Sequence, residues 1–496
     1  MKFTATVAAS LSLLFTACAD TVIARSTTSK VALPSTFKPP QVFKNANLVH
    51  IISLEKNYVK ESINVLIENL STEPQDEYFL PFTNEQMQKV GGFEVKDRKN
   101  PDVSGFSVDA VEFDPLSKLD SDTQFYRVKL PSSLPSNGQQ TLGISFYYLN
   151  ALKPLPASIA QADKQYLVYS FSAYCPSAYP TLKQKTEVKL PSSDVPDYTK
   201  IAGNGETKEF PVKQGSKLTY GPFPEVPAGA SSPVNVRYEF NKPVTHVSQL
   251  ERDIEVSHWG GNVAFEERYT LFHYGANLSS QFSRVKWAQS QYFSPQTFAL
   301  KEMKFVLGAG SKDAYFTDVI GNVSTSRFRV SKREAVLELK PRYPVFGGWK
   351  YPFTVGWNAD SSNYLKKADG KFVLNIPLIE GPKQAEGVEY EHVDVRVILP
   401  EGAENVKFYT TAPESSITSH SVDLVRTYLD TIGRTVLTIK ARNLVDELRD
   451  RELLVSYEYS TAAALRKPLV VFTSAMAMFV GIWLLSKLDV SFSTKR

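Results

Sequence analysis

The stretch 234–240 (VNVRYEF) alternates apolar and polar side chains at every position. Because successive side chains of a β-strand point to opposite faces, this alternation predicts a strand with one buried and one solvated face. The same pattern recurs in four further runs, 126–130 (YRVKL), 186–190 (TEVKL), 393–397 (VDVRV) and 454–459 (LVSYEY). Helical periodicity is sparse, and its best candidates are 279–293 and a short segment, 445–452. The chain is therefore predicted to be mainly β, with β-sandwich-like domains and a few short helices.

A faint internal repeat predicts two related domains. Three short patterns recur in the same order at a nearly constant spacing: Asn69-Leu70-Ser71 with Asn277-Leu278-Ser279, 129–131 (KLP) with 339–341 (LKP), and the Leu-Pro pairs at 190–191 and 399–400. A turn-rich run of small residues, 228–233 (AGASSP), lies between the two halves. We predict tandem domains at 25–233 and 234–460.

The two ends of the chain predict a type I membrane protein. An uncharged apolar stretch, 468–486, is followed by a short charged tail, 487–496. At about 1.5 Å per residue the stretch spans roughly 28 Å, enough for the thin hydrocarbon core of an endoplasmic reticulum bilayer. Residues 1–19 have the pattern of a signal peptide, with cleavage after Ala24 as the alternative. A GPI-anchor signal is the competing interpretation of 468–486, but such signals run to the end of the chain.

Charge and motif content exclude several classes of function. Lys and Arg total 56 against 52 for Asp and Glu, and this near balance argues against a nucleic-acid partner. The six histidines stand singly, and no Gly-x-Ser-x-Gly elbow or P-loop is present. We therefore expect no catalytic residue, no cofactor and no metal site in this chain.

The acidic pairs and the cysteines have plain structural interpretations. Glu266 and Glu267 would point to opposite faces of a strand. Asp446-Glu447 begins a segment of alternating charge, which is typical of a solvated surface. Of the two cysteines, Cys18 falls in the signal peptide, so the mature chain keeps only Cys175 and forms no internal disulfide. Cys175 is interpreted as a buried apolar residue, with a reactive thiol or an intermolecular bridge as the alternatives.

Two kinds of candidate site remain. Asn69, Asn277 and Asn322 each begin an Asn-x-Ser/Thr sequon and are candidate glycosylation sites in a lumenal body. Within the apolar stretch, Thr473, Ala477 and Gly481 form one stripe of small side chains, a surface on which a partner membrane helix could pack closely. The alternative is that small residues are simply frequent in membrane spans.

Three motifs rich in Gly and Trp resemble the ribophorin I family: 254–262 (IEVSHWGGN), 318–326 (DVIGNVSTS) and 341–349 (PRYPVFGGW). Weaker similarity runs through the first domain, notably 166–192, so the resemblance covers nearly the whole body. Read physically, the Gly-Gly pairs are tight turns, and Trp259 and Trp349 beside them are expected to cap the sheet core. A surface contacting another subunit is the alternative for these motifs.

The resemblance implies a non-catalytic subunit of the eukaryotic oligosaccharyltransferase, which transfers a preassembled oligosaccharide from dolichyl diphosphate to Asn in Asn-X-Ser/Thr. The implied partners are the other subunits, including the catalytic multi-span subunit, together with the lipid bilayer and the nascent polypeptide. The implied location is the endoplasmic reticulum membrane, with the body in the lumen. The short tail resembles fungal-type members, so ribosome docking is not carried over. The alternative is a free-standing type I receptor, lectin or chaperone of the secretory pathway.

Overall fold

A computed structural model describes residues 31–33, 37–99, 106–113, 123–202, 209–293, 297–427 and 430–487. The predicted signal peptide, 1–19, lies outside these residues, as does the tail 487–496 apart from Lys487. The described residues belong to one compact unit, Val31–Arg496. Strands dominate this unit, which confirms the prediction of a mainly β fold.

The first half of the chain is built around a seven-stranded sheet, the first long sheet. In its strand Val59–Asn69 every second side chain is buried along the whole length, as the period of two requires. In the order in which they pair, the strands are Val212–Gln214, Lys217–Val226, Thr181–Lys189, Phe43–Ser53, Val59–Asn69, Gln139–Tyr148 and Val90–Asp97.

The second half repeats this arrangement in an eight-stranded sheet, the second long sheet. Its strands, in pairing order, are Ile417–Val425, Arg434–Val445, Glu389–Glu401, Thr245–Ser257, Asn262–His273, Lys350–Asp360, Lys312–Asp318 and Gly321–Asn322. Each long sheet has one parallel pair among antiparallel neighbours, at the same place in the order. Apart from the short last strand, the two sheets therefore share one topology.

Shorter sheets accompany each long sheet and correspond between the halves. In the first half they consist of Val31–Leu33, Ser107–Phe113, Thr123–Leu134 and Gln75–Thr83, and of Asp197–Tyr198, Pro233–Glu239, Tyr166–Ser172 and Lys153–Pro154. In the second half they consist of Arg327–Val330, Glu334–Leu339 and Met303–Gly308, and of Ala403–Thr410, Glu452–Tyr459, Lys371–Pro377 and Leu365–Ala368. Two-stranded ladders join Ser158–Ile159 to Asn277–Leu278 and Ile201–Ala202 to Glu209–Phe210.

The paired topology supports a duplicated architecture, but the division into 25–233 and 234–460 stays a proposal. Strand Pro233–Glu239 pairs with Tyr166–Ser172, so its partner belongs to the first half. Strand pairing therefore favours a boundary after Glu239.

Helices are few and short, except at the C-terminus. The helix expected over 279–293 begins later, at Arg284, and runs as Arg284–Phe293, because the hydroxyl of Ser283 accepts the backbone N–H of Lys286 and caps it there. The helical segment expected over 445–452 is only the 3₁₀ turn Asp446–Leu448. The other short pieces are Asn84–Lys89, Ser361–Asn363 and Glu414–Ser416.

The two halves pack against each other through a polar and aromatic interface. Tyr147 of the first half is part of the second half's hydrophobic core, and its hydroxyl donates a 2.9 Å hydrogen bond to Glu447. Lys60 forms a 2.6 Å ion pair with the same carboxylate. Burial opposes ionisation of Glu447, but Lys60, Lys56 and the hydrogen bond from Tyr147 together outweigh it and hold the pKa of Glu447 below its usual value. The interpretation of this segment as a solvated surface fits the exposed Glu447 and Asp450, but Asp446 is partly buried between the two halves.

The C-terminal helix is Thr461–Lys487, and it contains the predicted span 468–486. It is the one helix among the described residues that is long and apolar enough to cross a membrane. Pro468 lies inside it rather than at its start. Only Ser460 separates this helix from the strand Glu452–Tyr459, so the body leads into the membrane segment without a flexible linker.

Candidate functional site

The tip of one hairpin in the second long sheet contacts the base of the C-terminal helix. The hairpin joins Thr245–Ser257 to Asn262–His273, and Trp259 at its tip is 67% exposed. The indole Nε1 of Trp259 donates a 2.9 Å hydrogen bond to the carbonyl oxygen of Ala464. Because proline has no N–H, Pro468 cannot donate to this oxygen four residues earlier. Trp259 supplies the hydrogen bond that the proline removes.

This position corrects the sequence-based interpretation of Trp259 as a cap on the sheet core. The chain turns within the hairpin at Gly261, whose φ of 56° lies in the left-handed region that glycine adopts without strain. The tight turn therefore carries Trp259 away from the core and towards the membrane helix.

A pair of buried carboxylates holds the last lysine before the span. Lys467 lies 2.7 Å from Asp430 and 3.4 Å from Glu401, and both carboxylates are buried. Burial opposes ionisation of Asp430, but hydrogen bonds from Lys467, Thr427 and Arg434 outweigh it and hold the pKa of Asp430 well below its usual range. The lysine is thus attached to the body by a charge-assisted contact.

Close backbone packing completes the attachment. The turn after Glu389–Glu401 contains Gly402, and a Cβ atom there would lie 2.8 Å from the Cβ of Ala463. Ser460 caps the helix, since its hydroxyl accepts the backbone N–H of Ala463. We call the loops around Trp259, Gly402 and Asp430 the membrane clasp, because they hold the helix in its first two turns.

The other two motifs of the family resemblance, 318–326 and 341–349, contact each other. The guanidinium of Arg342 pairs with Asp318 at 2.5 Å and donates to the carbonyls of Gly321 and Asn322. The carboxylate of Asp318 also accepts the backbone N–H groups of Ile320 and Gly321. Arg342 therefore fixes the turn that carries Asn322.

The Gly-Gly pair of the last motif serves a close backbone approach. A Cβ atom at Gly347 would lie 2.1 Å from the carbonyl oxygen of Ala276, so only glycine fits there. Phe346 beside it is fully buried, and Trp349 packs against Phe346. Here the architectural interpretation of the motif holds.

The match to known proteins extends over these elements. The Ribophorin I family model matches residues 43–486, from the first long sheet to the end of the C-terminal helix. The chain belongs to the ribophorin I family.

Individual ribophorin I relatives align along most of their length. Each is named as a subunit 1 of dolichyl-diphosphooligosaccharide–protein glycosyltransferase. The Caenorhabditis elegans protein is 31% identical over 465 residues, 94% of this chain and 75% of the relative. The Schizosaccharomyces pombe protein is 28% identical over 447 residues, 90% of this chain and 95% of the relative. Subunit 1B of Arabidopsis thaliana is 28% identical over 459 residues, 90% and 93% of the two chains.

Two solved structures share a remote likeness with part of this ribophorin I chain. An M1 zinc metallopeptidase from Deinococcus radiodurans is 11% identical over 42% of both chains, with a TM-score of 0.25. Leukotriene A4 hydrolase from Saccharomyces cerevisiae is 14% identical over 44% of this chain and 32% of its own, with a TM-score of 0.27.

The three sequons of this ribophorin I chain lie in different environments. Asn277 and Asn322 are exposed. Asn69 is fully buried, and its Nδ2 donates to the carbonyls of Leu134 and Glu73 at 2.9 Å. Since Nδ2 is the atom that a glycan would occupy, the folded environment argues against glycosylation of Asn69. The candidates that fit the structure are Asn277 and Asn322.

The small-residue stripe of the ribophorin I anchor lies on an uncovered helix surface. Thr473 and Ala477 are exposed, and no described atom lies within 4 Å of a Cβ placed at Gly481. The hydroxyl of Thr473 donates to the carbonyl of Val470 at 3.1 Å, so its proton is used within the helix. A partner helix on this stripe stays a prediction, with Thr473 able to accept rather than donate a hydrogen bond.

Charged groups inside the second half of this ribophorin I chain form a structural cluster that sequence reasoning missed. Arg252 is fully buried, pairs with Glu267 and with Glu380 at 3.0 Å, and stacks on the ring of Phe265. Glu267 is fully buried while Glu266 is partly exposed, which confirms that the two point to opposite faces. Burial raises the pKa of Glu380 despite Arg252 beside it. A sequence signal was present, because Arg252 is in phase with the apolar residues Leu250, Ile254 and Val256 of the same strand, all of which are buried.

The remaining cysteine of this ribophorin I chain is Cys175, which is 3% exposed and carries a free thiol. Burial raises the pKa of that thiol. A buried, protonated thiol is a poor nucleophile, which fits the interpretation of Cys175 as an apolar core residue. Within the described part of the chain, no group of three or more His, Cys, Asp or Glu is placed to hold a metal ion.

Proposed function

We propose that this chain is the non-catalytic subunit 1 of a dolichyl-diphosphooligosaccharide–protein glycosyltransferase complex in the endoplasmic reticulum membrane. The observation that carries the proposal is the collinear match to relatives of that name, which includes both long sheets and the membrane helix. The body, 25–460, lies in the lumen, where nascent chains receive their glycans.

The role within the complex is structural. The charged cluster inside the second half, Arg252 with Glu267 and Glu380, is internally paired within a packed core. A catalytic carboxylate must reach its substrate, and these groups have none of the access that such a role requires. The chemistry therefore belongs to another subunit, and this chain contributes a rigid body held on one membrane helix.

The proposal is tested with a tagged full-length chain extracted in mild detergent. We expect it to co-purify with multi-span membrane proteins. The purified material should also have the activity that transfers oligosaccharide from a lipid-linked donor to an Asn-X-Ser/Thr peptide. The same chain stripped of its partners should transfer nothing, with or without added manganese or magnesium. Transfer by the chain alone would contradict the non-catalytic role.

Two outcomes would contradict parts of this proposal. A chain that purifies alone under mild conditions would support a free-standing receptor, lectin or chaperone. Protease digestion of sealed microsomes tests the orientation: a lumenal body is protected, and a digested body would contradict it.

A further inference from the structure

Exposed apolar side chains surround the membrane clasp on the outside of the body. Trp259 is 67% exposed, Leu424 64%, Val425 47% and Ile432 43%. Leu424 and Val425 end the edge strand Ile417–Val425 of the second long sheet. We call these four side chains the clasp patch.

The clasp patch is tied to the helix by direct contacts. Trp259 binds the carbonyl of Ala464, and Asp430, two residues before Ile432, binds Lys467. The side chain of Leu424 lies 3.2 Å from a Cβ placed at Gly433, so it adjoins the same loop. The patch therefore lies beside the helix at the level of Ala464 to Lys467.

The spacing along the helix places this level within the bilayer's headgroup layer. The apolar run begins at Pro468, and Ala464 lies four residues before it. At about 1.5 Å per residue this is about 6 Å along the helix. The headgroup layer on each side of a roughly 30 Å hydrocarbon core is about 5–7 Å thick. Because no flexible linker separates strand Glu452–Tyr459 from the helix, the body cannot move away from this layer independently.

The chemistry of the patch suits that layer. Trp is enriched at membrane–water interfaces, where its ring meets the acyl chains and its N–H finds a partner. The N–H of Trp259 already donates to the carbonyl of Ala464, so the apolar part of the ring can contact lipid. The two acidic groups beneath the patch, Asp430 and Glu401, both pair with Lys467, and Asp430 pairs with Arg434 as well, so these cations reduce the repulsion of lipid phosphates.

We propose that the clasp patch is a second membrane contact, with Trp259, Leu424, Val425 and Ile432 inserted at the boundary between headgroups and acyl chains. This contact fixes the body on the bilayer surface at a defined tilt. The proposal concerns lipid and holds for this chain whether or not it works in a transferase complex.

The first test measures the depth of a nitroxide label on the full-length chain in phosphatidylcholine nanodiscs. Ile432→Cys carries the label, and Val319→Cys is the control, since Val319 is a branched apolar residue that is 82% exposed. Val319 lies far from the hairpin tip along the sheet. Its neighbour Asp318 pairs with Phe353, whereas the residue at the hairpin tip pairs with Asp360 of the same strand. These two positions on the strand are roughly 23 Å apart. The unsubstituted chain, in which Cys175 is buried, measures background labelling.

We expect the Ile432 label to collide more with oxygen and less with a water-soluble nickel chelate than the Val319 label does. Equal accessibility at the two sites would overturn the proposal. So would an Ile432 label that is aqueous in nanodiscs and protected only in the complete complex, because that would assign the patch to a partner protein.

The second test compares quenching of tryptophan emission by brominated lipids in the wild type and in Trp259→Phe. Trp483, in the membrane helix, is quenched in both chains, so the difference reports Trp259. We expect the variant to lose a component that is quenched best by bromines near the headgroups. Identical quenching profiles in two folded chains would overturn the insertion of Trp259.

Discussion

The hydroxyl of Tyr58, in the first half of the chain, donates a 2.6 Å hydrogen bond to Asp446 in the second half. The same carboxylate lies 3.1 Å from Lys56. One acidic side chain thus satisfies two polar groups of the other half, which makes the interface between the halves specific as well as apolar.

Replacing Asp446 by Ala should destabilise the full chain, because the partly buried hydroxyl of Tyr58 and the ammonium of Lys56 both lose a partner. We expect a loss of about 1–3 kcal/mol in the free energy of unfolding, measured by urea denaturation in detergent solution. Asp450→Ala is the matched control, since Asp450 is exposed in the same segment. Its effect should stay within about 0.5 kcal/mol, and equal effects of the two changes would contradict the role given to Asp446.

The clasp should respond to acid through Asp430. Because the pKa of Asp430 is depressed in the folded state, its contribution to stability is complete above the unfolded-state pKa of about 3.9. The contribution should fall as the pH drops below that value towards the folded-state pKa. Asp430→Asn lacks this contribution, so the difference in unfolding free energy between wild type and variant should be largest near pH 7 and shrink near pH 3. A difference that does not depend on pH would contradict this assignment.

The sequons should separate into two groups when each Asn is changed to Gln. Asn277→Gln and Asn322→Gln should each remove one glycan, seen as a loss of one endoglycosidase-sensitive mass step, with little change in stability. Asn69→Gln should remove no glycan but lower the stability by about 1–3 kcal/mol, because the longer side chain disturbs a buried amide and its buried hydrogen bond to the carbonyl of Leu134. A glycan lost with Asn69→Gln would show that Asn69 is modified before its strand folds.

The stripe on the anchor should be needed for partner binding rather than for insertion. Gly481→Leu keeps the helix apolar but fills the groove between Thr473 and Gly481, so a partner helix can no longer approach closely. We expect normal insertion but poor recovery of membrane partners in a mild-detergent pull-down. Val480→Leu, off the stripe, should recover them normally. Full recovery with both variants would mean that the body, not the span, holds the complex together.

Much of the architecture could be predicted from short-range patterns. The run 454–459 falls in the strand Glu452–Tyr459, and 234–240 falls in Pro233–Glu239 except for its last residue, because alternation directly reports which face of a strand is buried. The apolar run 468–486 lies within one helix for a similarly local reason. The start of helix Arg284–Phe293 was harder to predict from the sequence. Several serines precede it, and only the structure shows which of them caps the helix.

The sites depended on contacts between distant parts of the chain. Asp446 stands in a segment whose charges are typical of a surface, yet it joins the two halves. Trp259 was expected to cap the core, yet it binds the membrane helix. Asn69 meets every sequence requirement of a sequon, and only burial shows that its amide is already engaged.

The sequence by itself determined the strand-rich class, the internal repeat, the apolar span at 468–486 and the family. All of these follow from periodicity, composition and the order of motifs. Tertiary structure alone decided which strands share a sheet, which sequons remain accessible and how the body is attached to the membrane helix. The physical reason is that hydrogen bonds such as the one between Trp259 and Ala464 join residues far apart in the chain. Folding of the whole chain brings these partners together, and no local sequence pattern predicts the pairing.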